Sequence, residues 1–145
     1  MELPEYITIE EVKRVCQAIG LRDWSQIKEA EVSEVEAATI LSLVNTKKMA
    51  IHLEDFRVGL EVELEHGTRF SDANVTNNHP LLTGKIVIAH LKETMDYYKR
   101  IDVAEIEGDL LKAVLSRNID KITSKYIQLI DAKLALNKAV SDQLR

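Results

Sequence analysis

Apolar residues recur at helical spacing through most of this chain, while the residues that make tight turns are scarce. Only 5 Gly and 2 Pro occur among 145 residues. An all-β sandwich needs a turn about every ten residues, so the composition excludes that class. Hydrophobic residues make up 46% of the chain, which is enough to close one core. The sequence therefore predicts a mainly α fold, an irregular bundle of five or six helices with one long polar loop.

Helix-start and helix-stop residues mark the first two helices. Thr8 followed by Glu11 has the spacing of a capping box, in which each residue satisfies a backbone N–H of the first turn. Gly20 follows the apolar stripe and is placed to end the helix in the left-handed conformation. A second helix is predicted to begin near Ser33, with Glu36 three residues later.

Two further helices are predicted to flank the polar loop. The third runs from about Leu53 to His66 and is predicted to end at Gly67, and the fourth follows Thr83. Between them, Thr68–Leu82 is rich in Ser, Asp and Asn, and polar loops of this length inside a small domain are often functional. His79 lies in this loop next to a proline and is expected to be solvated.

The last third of the chain is predicted to be one long helix, or two helices with a kink at 116–118. Six apolar residues step by 4, 4, 3, 4 and 3 positions, close to a coiled-coil seam: Leu111, Leu115, Ile119, Ile122, Tyr126 and Leu129. We expect a helical core in residues 1–101 and a C-terminal helical extension in residues 102–145. The extension either packs on the core or serves for self-association, which would make the protein a homo-oligomer.

Carboxylates and histidines cluster on the third and fourth helices. Five of them could line facing sides of an antiparallel pair, namely Glu61, Glu65, His66, His90 and Glu93. Two Glu on one helix and a His with a Glu on its neighbour suit a divalent transition metal such as iron, manganese or zinc. In the alternative, the Glu residues pair with Lys85, Lys92 or Arg69, and His90 bonds a loop carbonyl or a carboxylate.

Other polar and aromatic residues of the same region are candidates for ligand contact or for packing. They are Asn74, Thr76, Tyr97 and Tyr98. No Ser, Thr or Cys stands in a sequence context that marks a catalytic nucleophile, so the catalytic residues are unknown and an enzyme is not favoured.

Charge and cysteine content limit the partners. The net charge is -5, which gives no overall attraction to nucleic acid. No stretch reaches the ~20 apolar residues that span a bilayer, and the N-terminal residues do not resemble a signal peptide. The single cysteine, Cys16, lies in an apolar stripe and is expected to be buried. We therefore expect a cytoplasmic protein with no membrane contact.

Several motifs in order resemble a family of short bacterial and phage proteins known as a domain of unknown function. The motifs are GLEVELEHG (Gly59–Gly67), NVT (Asn74–Thr76), TGKI (Thr83–Ile86), AHLKE (Ala89–Glu93) and DYY (Asp96–Tyr98). The similarity covers residues 56–98 and implies a shared fold and a shared polar segment, but no activity. The chain departs from that pattern by extra residues at 32–51, by the extension at 102–145, and at His79, where the family often has an acidic residue.

Three hypotheses for function follow from the sequence. The favoured one is a small structural or interaction module, and the 4-3 apolar run of the extension is the feature that supports it. The second is a metal-binding helical protein, hydrolytic or redox, that uses the Glu and His cluster. The third is a phage-linked or nucleic-acid-associated accessory protein, which the acidic net charge disfavours.

Overall fold

A computed structural model describes residues 4–145 of the chain, which form α-helices and no strand. The α-helices are α1 (Ile9–Ala18), α2 (Glu34–Val44), α3 (Leu53–Arg69), α4 (Pro80–Glu93), α5 (Tyr97–Leu115) and α6 (Ile119–Gln143). Short 3-10 turns lie at Trp24–Gln26 and Ser71–Ala73. The prediction of a mainly α, irregular helical bundle is confirmed. Across the described residues, no helix combines the length and the hydropathy of a membrane span.

Two compact units make up the chain. The first, here the N-terminal unit, holds the described residues up to Lys92, and the second is Glu93–Arg145. The N-terminal unit therefore contains α1 to α3 and all of α4 except its last residue, and the second unit contains α5 and α6.

The first two helices begin where the capping residues predict. The Thr8 hydroxyl accepts a hydrogen bond from the Glu11 N–H, and Ser33 and Glu36 form the complete reciprocal box at the start of α2. At the end of α1, Gly20 has a φ of 73°, which glycine adopts without strain. The Leu21 N–H returns to the Cys16 carbonyl at 2.8 Å, so the last carbonyls of α1 are satisfied.

Glu36 anchors the only tryptophan of the chain in the core of the N-terminal unit. Its Oε1 accepts from Trp24 Nε1 and from Arg22 Nε, both at 2.9 Å, while its Oε2 accepts from Ser33. Burial raises the pKa of this carboxyl, but the hydrogen bonds from Trp24, Ser33 and Arg22 outweigh burial and leave the pKa below its usual value. Large buried apolar side chains fill the rest of this core: Val12, Ile40, Phe56, Leu60, Leu64, Val87 and Leu91.

The polar loop is shorter than predicted. Gly67 does not end α3, which continues to Arg69, and α4 begins at Pro80 rather than after Thr83. Proline suits the first turn of a helix, where its missing N–H would have had no helical partner. The loop between α3 and α4 therefore comprises residues 70–79, and we call it the α3–α4 loop.

The second unit is an antiparallel helical hairpin, here called the C-terminal hairpin. The chain turns at Ser116–Asn118, where Arg117 has a φ of 53° and the Asn118 side chain caps α6. Ion pairs link the two helices in reverse order, Asp109 to Lys125 and Glu107 to Lys133, each at 3.0 Å. Ile106, Leu129 and Ala132 form its small buried cluster, with Val103 and Leu110 packed against it.

Candidate functional site

Glu61 is turned toward the segment that precedes α2. Its Oε1 accepts a hydrogen bond from the Val32 N–H at 3.0 Å and another from Arg57 Nη1. Arg57 also forms a two-pronged pair with Glu54, one turn earlier on α3. Glu61 therefore holds the connector to α3 and is already neutralised by an arginine.

His90 of α4 meets Glu63 of α3, a residue that the sequence-based ligand set left out. The His90 Nδ1 lies 3.0 Å from Glu63 Oε1, so the imidazole N–H donates to the carboxylate. His66 approaches the same carboxylate, with its Nδ1 3.9 Å from Glu63 Oε2. The Glu63 side chain is only 12% exposed, so this contact is sheltered from solvent. A bond from His90 to a carboxylate was the alternative to metal binding in the sequence-based prediction, and this is the contact that His90 makes.

The structure separates the other predicted metal ligands. Glu65 pairs with Arg69 at 2.9 Å, and Glu93 is exposed at the end of α4. Within residues 4–145, no three His, Cys, Asp or Glu side chains are arranged to hold a metal ion, and this includes Glu63 with its two histidine neighbours. The five predicted ligands are therefore not brought together, and the metal site stays a prediction that elemental analysis of the purified protein tests.

Gly67 lets the α3–α4 loop lie directly on the backbone of α3. A Cβ at this position would be 2.1 Å from Asn78 Oδ1 and 2.8 Å from Asn74 Nδ2. Those two side chains are bonded to each other, because Asn74 Nδ2 donates to Asn78 Oδ1 at 3.2 Å. Asn78 has a φ of 60°, a left-handed conformation that asparagine tolerates better than most residues. The amide pair thus packs where a side chain would otherwise stand.

A cleft of about 280 Å³ opens between α3, the α3–α4 loop and α4. Its exposed lining surface is mostly apolar, and twelve residues line it: Glu63, Leu64, His66, Gly67, Phe70, Ala73, Asn74, Val75, Thr76, Asn78, Thr83 and Ile86. Phe70, Val75 and Ile86 are exposed at its rim, so the cleft presents apolar surface to solvent. Asn74 and Thr76, the predicted ligand or packing residues of the loop, both line it.

His79 caps α4 and is buried, contrary to the expectation that it is solvated. It is only 6% exposed, and its Nδ1 accepts from the N–H groups of Leu81 and Leu82 at 3.2 and 3.4 Å. Burial lowers the pKa of His79 below its ordinary value. A protonated ring would lose the accepting nitrogen and place a positive charge at the positive end of the helix dipole. The neutral imidazole therefore acts as an N-cap group.

The predicted aromatic pair lies at the start of α5. The rings of Tyr97 and Tyr98 meet edge to face, with centroids 5.2 Å apart and planes at 75°. Tyr98 is buried. Just before them, Asp96 pairs with Arg100, and this pair holds the pKa of the Asp96 carboxyl below its usual value. The geometry of the two tyrosines is that of a packed pair.

One face of the C-terminal hairpin exposes apolar side chains. On α6 they form a set that we call the exposed stripe: Ile119, Tyr126, Ile127, Ile130 and Leu134. Leu111, Val114 and Leu115 of α5 are exposed near the turn. The seam predicted from the sequence is therefore divided. Leu129 is buried in the hairpin, while most of the other seam residues face solvent.

The fold and these surfaces define a small mainly α protein with a helix-lined cleft and an apolar hairpin face. The chain belongs to the DUF5661 family, described as a protein of unknown function, whose model matches residues 12–107. The matched region includes the cleft and most of α5, and it ends before α6. No curated protein and no solved structure matches the chain.

Proposed function

We propose that this protein is a self-associating interaction module, in which the C-terminal hairpin pairs with the hairpin of a second copy. The observation that carries the proposal is that α6 is apolar on two sides. One side, with Leu129 and Ala132, is buried against α5, and the exposed stripe is the other. A surface helix that needs only one partner has one apolar side.

The two sides of α6 point in different directions. At 100° per residue, the exposed stripe is centred roughly 130° around the helix from Leu129 and Ala132. Packing α5 more tightly would therefore not cover the stripe. A second helix alongside α6 would cover it.

The size of this surface suits a protein partner. The stripe spans Ile119–Leu134, and three exposed apolar residues of α5 extend it at the turn. The largest apolar patch on a monomer is typically ~300–600 Å². A standard interface buries about 800 Å² on each partner, and the exposed stripe would supply the apolar centre of such an interface.

Two charges beside the stripe favour an antiparallel pair of identical hairpins. Asp120 and Lys138 are 18 residues apart, which is five helical turns, so both lie on the same flank of the stripe. Both are exposed, and neither forms an ion pair within the described part of the chain. In a two-fold antiparallel pair, Asp120 of each copy would meet Lys138 of the other. This complementarity commits the surface to a second copy.

The test is sedimentation velocity of the full chain over a wide concentration range, from micromolar to several hundred micromolar. The proposal expects a reversible monomer–dimer equilibrium. Ile130→Lys should raise the dissociation constant at least tenfold, since it buries a charge twice in a two-fold interface. Gln128→Lys adds the same charge to a polar part of α6 and should leave dimerisation unchanged. A wild-type monomer at every concentration would refute self-association.

A charge exchange tests the antiparallel register. Asp120→Lys alone should weaken the dimer, because the introduced lysine of one copy would then face Lys138 of the other. Adding Lys138→Asp should restore wild-type affinity. If the double variant stays as weak as the single one, the hairpins pair in another arrangement. The proposal assigns no catalytic role and no nucleic-acid contact. The net charge of -5 disfavours binding to nucleic acid.

A further inference from the structure

We infer that the cleft between α3, the α3–α4 loop and α4 is a binding site for a small uncharged molecule that carries a carbonyl or amide oxygen on an apolar body. All residues that line this cleft belong to the N-terminal unit, and the inference does not depend on self-association. Its central residue is Asn78, which is only 5% exposed and lines the cleft.

Asn78 has one amide atom without a partner. Its Oδ1 accepts from Asn74, while no hydrogen bond within residues 4–145 engages its Nδ2. No fully buried side-chain nitrogen or oxygen of the described residues lacks a partner, so this Nδ2 must reach accessible space. The cleft is the opening that Asn78 lines. A donor left free in so buried a side chain favours a ligand with a hydrogen-bond acceptor.

The side chain of Asn78 is held rigidly, as a recognition group must be. Its oxygen lies against the backbone of α3 at Gly67, where no Cβ fits. Asn74 fixes the orientation of the amide by donating to that oxygen. The neighbouring Asn77 is fixed as well, because its Nδ2 donates to the Ile7 carbonyl at 2.7 Å. The donor is therefore presented in one direction before any ligand arrives.

The rest of the lining selects an apolar, uncharged body. Phe70, Val75 and Ile86 form the exposed rim, and the buried side chain of Leu64 adds to the apolar lining. Glu63 also lines the cleft, where its carboxylate would repel a carboxylate or phosphate, and it already bonds His90. Anionic ligands are therefore disfavoured, and a cationic ligand gains little attraction from a carboxylate that already has a partner. Space of about 280 Å³ equals roughly nine water molecules, which fits a ligand of about ten non-hydrogen atoms.

Three probes with the same ring and different head groups test the inference on the ¹⁵N-labelled full chain. They are cyclohexanecarboxamide, cyclohexanecarboxylate and cyclohexylmethylammonium, each titrated at pH 7.5 and followed by NMR. We expect the amide to bind with a dissociation constant on the order of millimolar, as suits a ligand of this size. Its signature is a shift of the Asn78 side-chain NH₂ and the Gly67 N–H signals. The carboxylate should bind at least tenfold more weakly.

Each of the other results overturns the inference. Equal binding of all three probes would mean that the ring alone is recognised and Asn78 has no role. Tighter binding of the ammonium would assign recognition to Glu63. Absence of binding by any probe, or shifts confined to residues outside the cleft, would remove the site altogether.

Two variants locate the site. Asn78→Asp keeps the oxygen that Asn74 needs and removes the donor, so amide binding should fall at least tenfold. Because that change lies in a buried position, Val75→Glu provides a second test at the rim, where the residue is 82% exposed and its loss does not threaten the fold. Leu43→Glu places the same charge on an exposed apolar residue that does not line the cleft, and it should bind the amide like wild type. Unchanged binding by Val75→Glu would contradict the proposed location.

Discussion

The N-terminal unit and the C-terminal hairpin are both helical, but they rely on different interactions. Four of the five buried polar or charged residues lie in the N-terminal unit, at Glu36, Asn78, His79 and Thr83. The C-terminal hairpin differs in that it exposes more large apolar side chains. Nine large apolar side chains are exposed within its unit of Glu93–Arg145, against seven in the longer described stretch up to Lys92.

This difference separates two ways in which a sequence can specify a structure. In the N-terminal unit, single atoms decide the fit, as at Gly67 and at the imidazole of His79. In the hairpin, a repeating apolar pattern decides it, and the pattern continues onto a side that α5 does not cover. We therefore expect substitutions that add or remove one atom group to change the free energy of unfolding strongly in the N-terminal unit and weakly on the exposed stripe.

The largest expected effect comes from Gly67→Ala. The added Cβ would meet Asn78 Oδ1 at 2.1 Å, so the α3–α4 loop must move, and we expect a loss of about 3 kcal/mol in the free energy of unfolding. Gly108→Ala is the matched control in α5, where no atom lies within 4 Å of the added Cβ. There alanine should stabilise the protein by ~0.5–1 kcal/mol through its higher helix propensity. Urea denaturation measures both, and equal effects would contradict the contrast between the units.

Leu129→Ala is expected to be next in size. Leu129 is 8% exposed and belongs to the buried cluster of the hairpin, so its loss should cost about 2–3 kcal/mol. Leu134→Ala on the same helix removes the same atoms from a side chain that is 62% exposed, and it should change stability by less than ~0.5 kcal/mol. Both are compared at a concentration where the wild type is monomeric. A costly Leu134→Ala in the monomer would show that the stripe is covered within one chain.

Glu36→Gln should cost about 2 kcal/mol. The substitution keeps the shape but replaces hydrogen bonds to a charged group by weaker ones at Trp24, Ser33 and Arg22. Glu34→Gln, in the same first turn of α2, is the control and should fall within ~0.5 kcal/mol of wild type. The fluorescence of Trp24 during thermal unfolding reports both variants. Similar melting temperatures for the two would mean that Glu36 holds no network.

The smallest expected effect is the pH dependence due to His79. Its pKa is lowered in the folded state, so the unfolded state takes up the proton first as pH falls below 6.5, and stability decreases from there toward the folded pKa. The free energy of unfolding should therefore be lower at pH 5.5 than at pH 7.5, and this group can account for at most about 1.4 kcal/mol of the difference. The charged groups around the ring are Glu11, Arg14 and Lys85.

His79→Asn isolates this contribution from the other histidines. Asparagine is a good N-cap residue and does not titrate, so the variant should keep the start of α4. Urea denaturation at the two pH values should then give a smaller difference than in wild type. An undiminished pH dependence would assign the effect to other groups.

Much of the fold could be predicted from the sequence because helix ends depend on local chemistry. Thr8, Ser33 and Gly20 mark their helix ends as expected. A break at 116–118 was also predicted, but the chain reverses direction there and forms a hairpin where only a kink was expected. Burial of Cys16 followed from its place in an apolar stripe. These features depend on residues a few positions apart, so they can be recognised in the sequence alone.

The site could be predicted only in part because it depends on distant residues. Gly67 resembled a helix stop, and only the position of Asn78 reveals that it makes room for the loop. Glu63 rather than Glu61 or Glu65 meets His90, because Glu61 is turned toward the Val32 N–H and Glu65 pairs with Arg69. Pro80 was the one signal that could have placed the start of α4, and with it the capping role of His79.

The burial of Cys16 beside Trp24 has a practical consequence. The backbone N–H of Trp24 donates to the Cys16 sulfur at 3.5 Å, and burial raises the pKa of the thiol. A thiol reagent therefore reaches Cys16 only after this part of the molecule opens. The chain has one cysteine and one tryptophan, and both lie in the N-terminal unit. Thiol labelling of Cys16 and the fluorescence of Trp24 therefore both report the opening of the N-terminal unit. Neither probe reports the opening of the C-terminal hairpin.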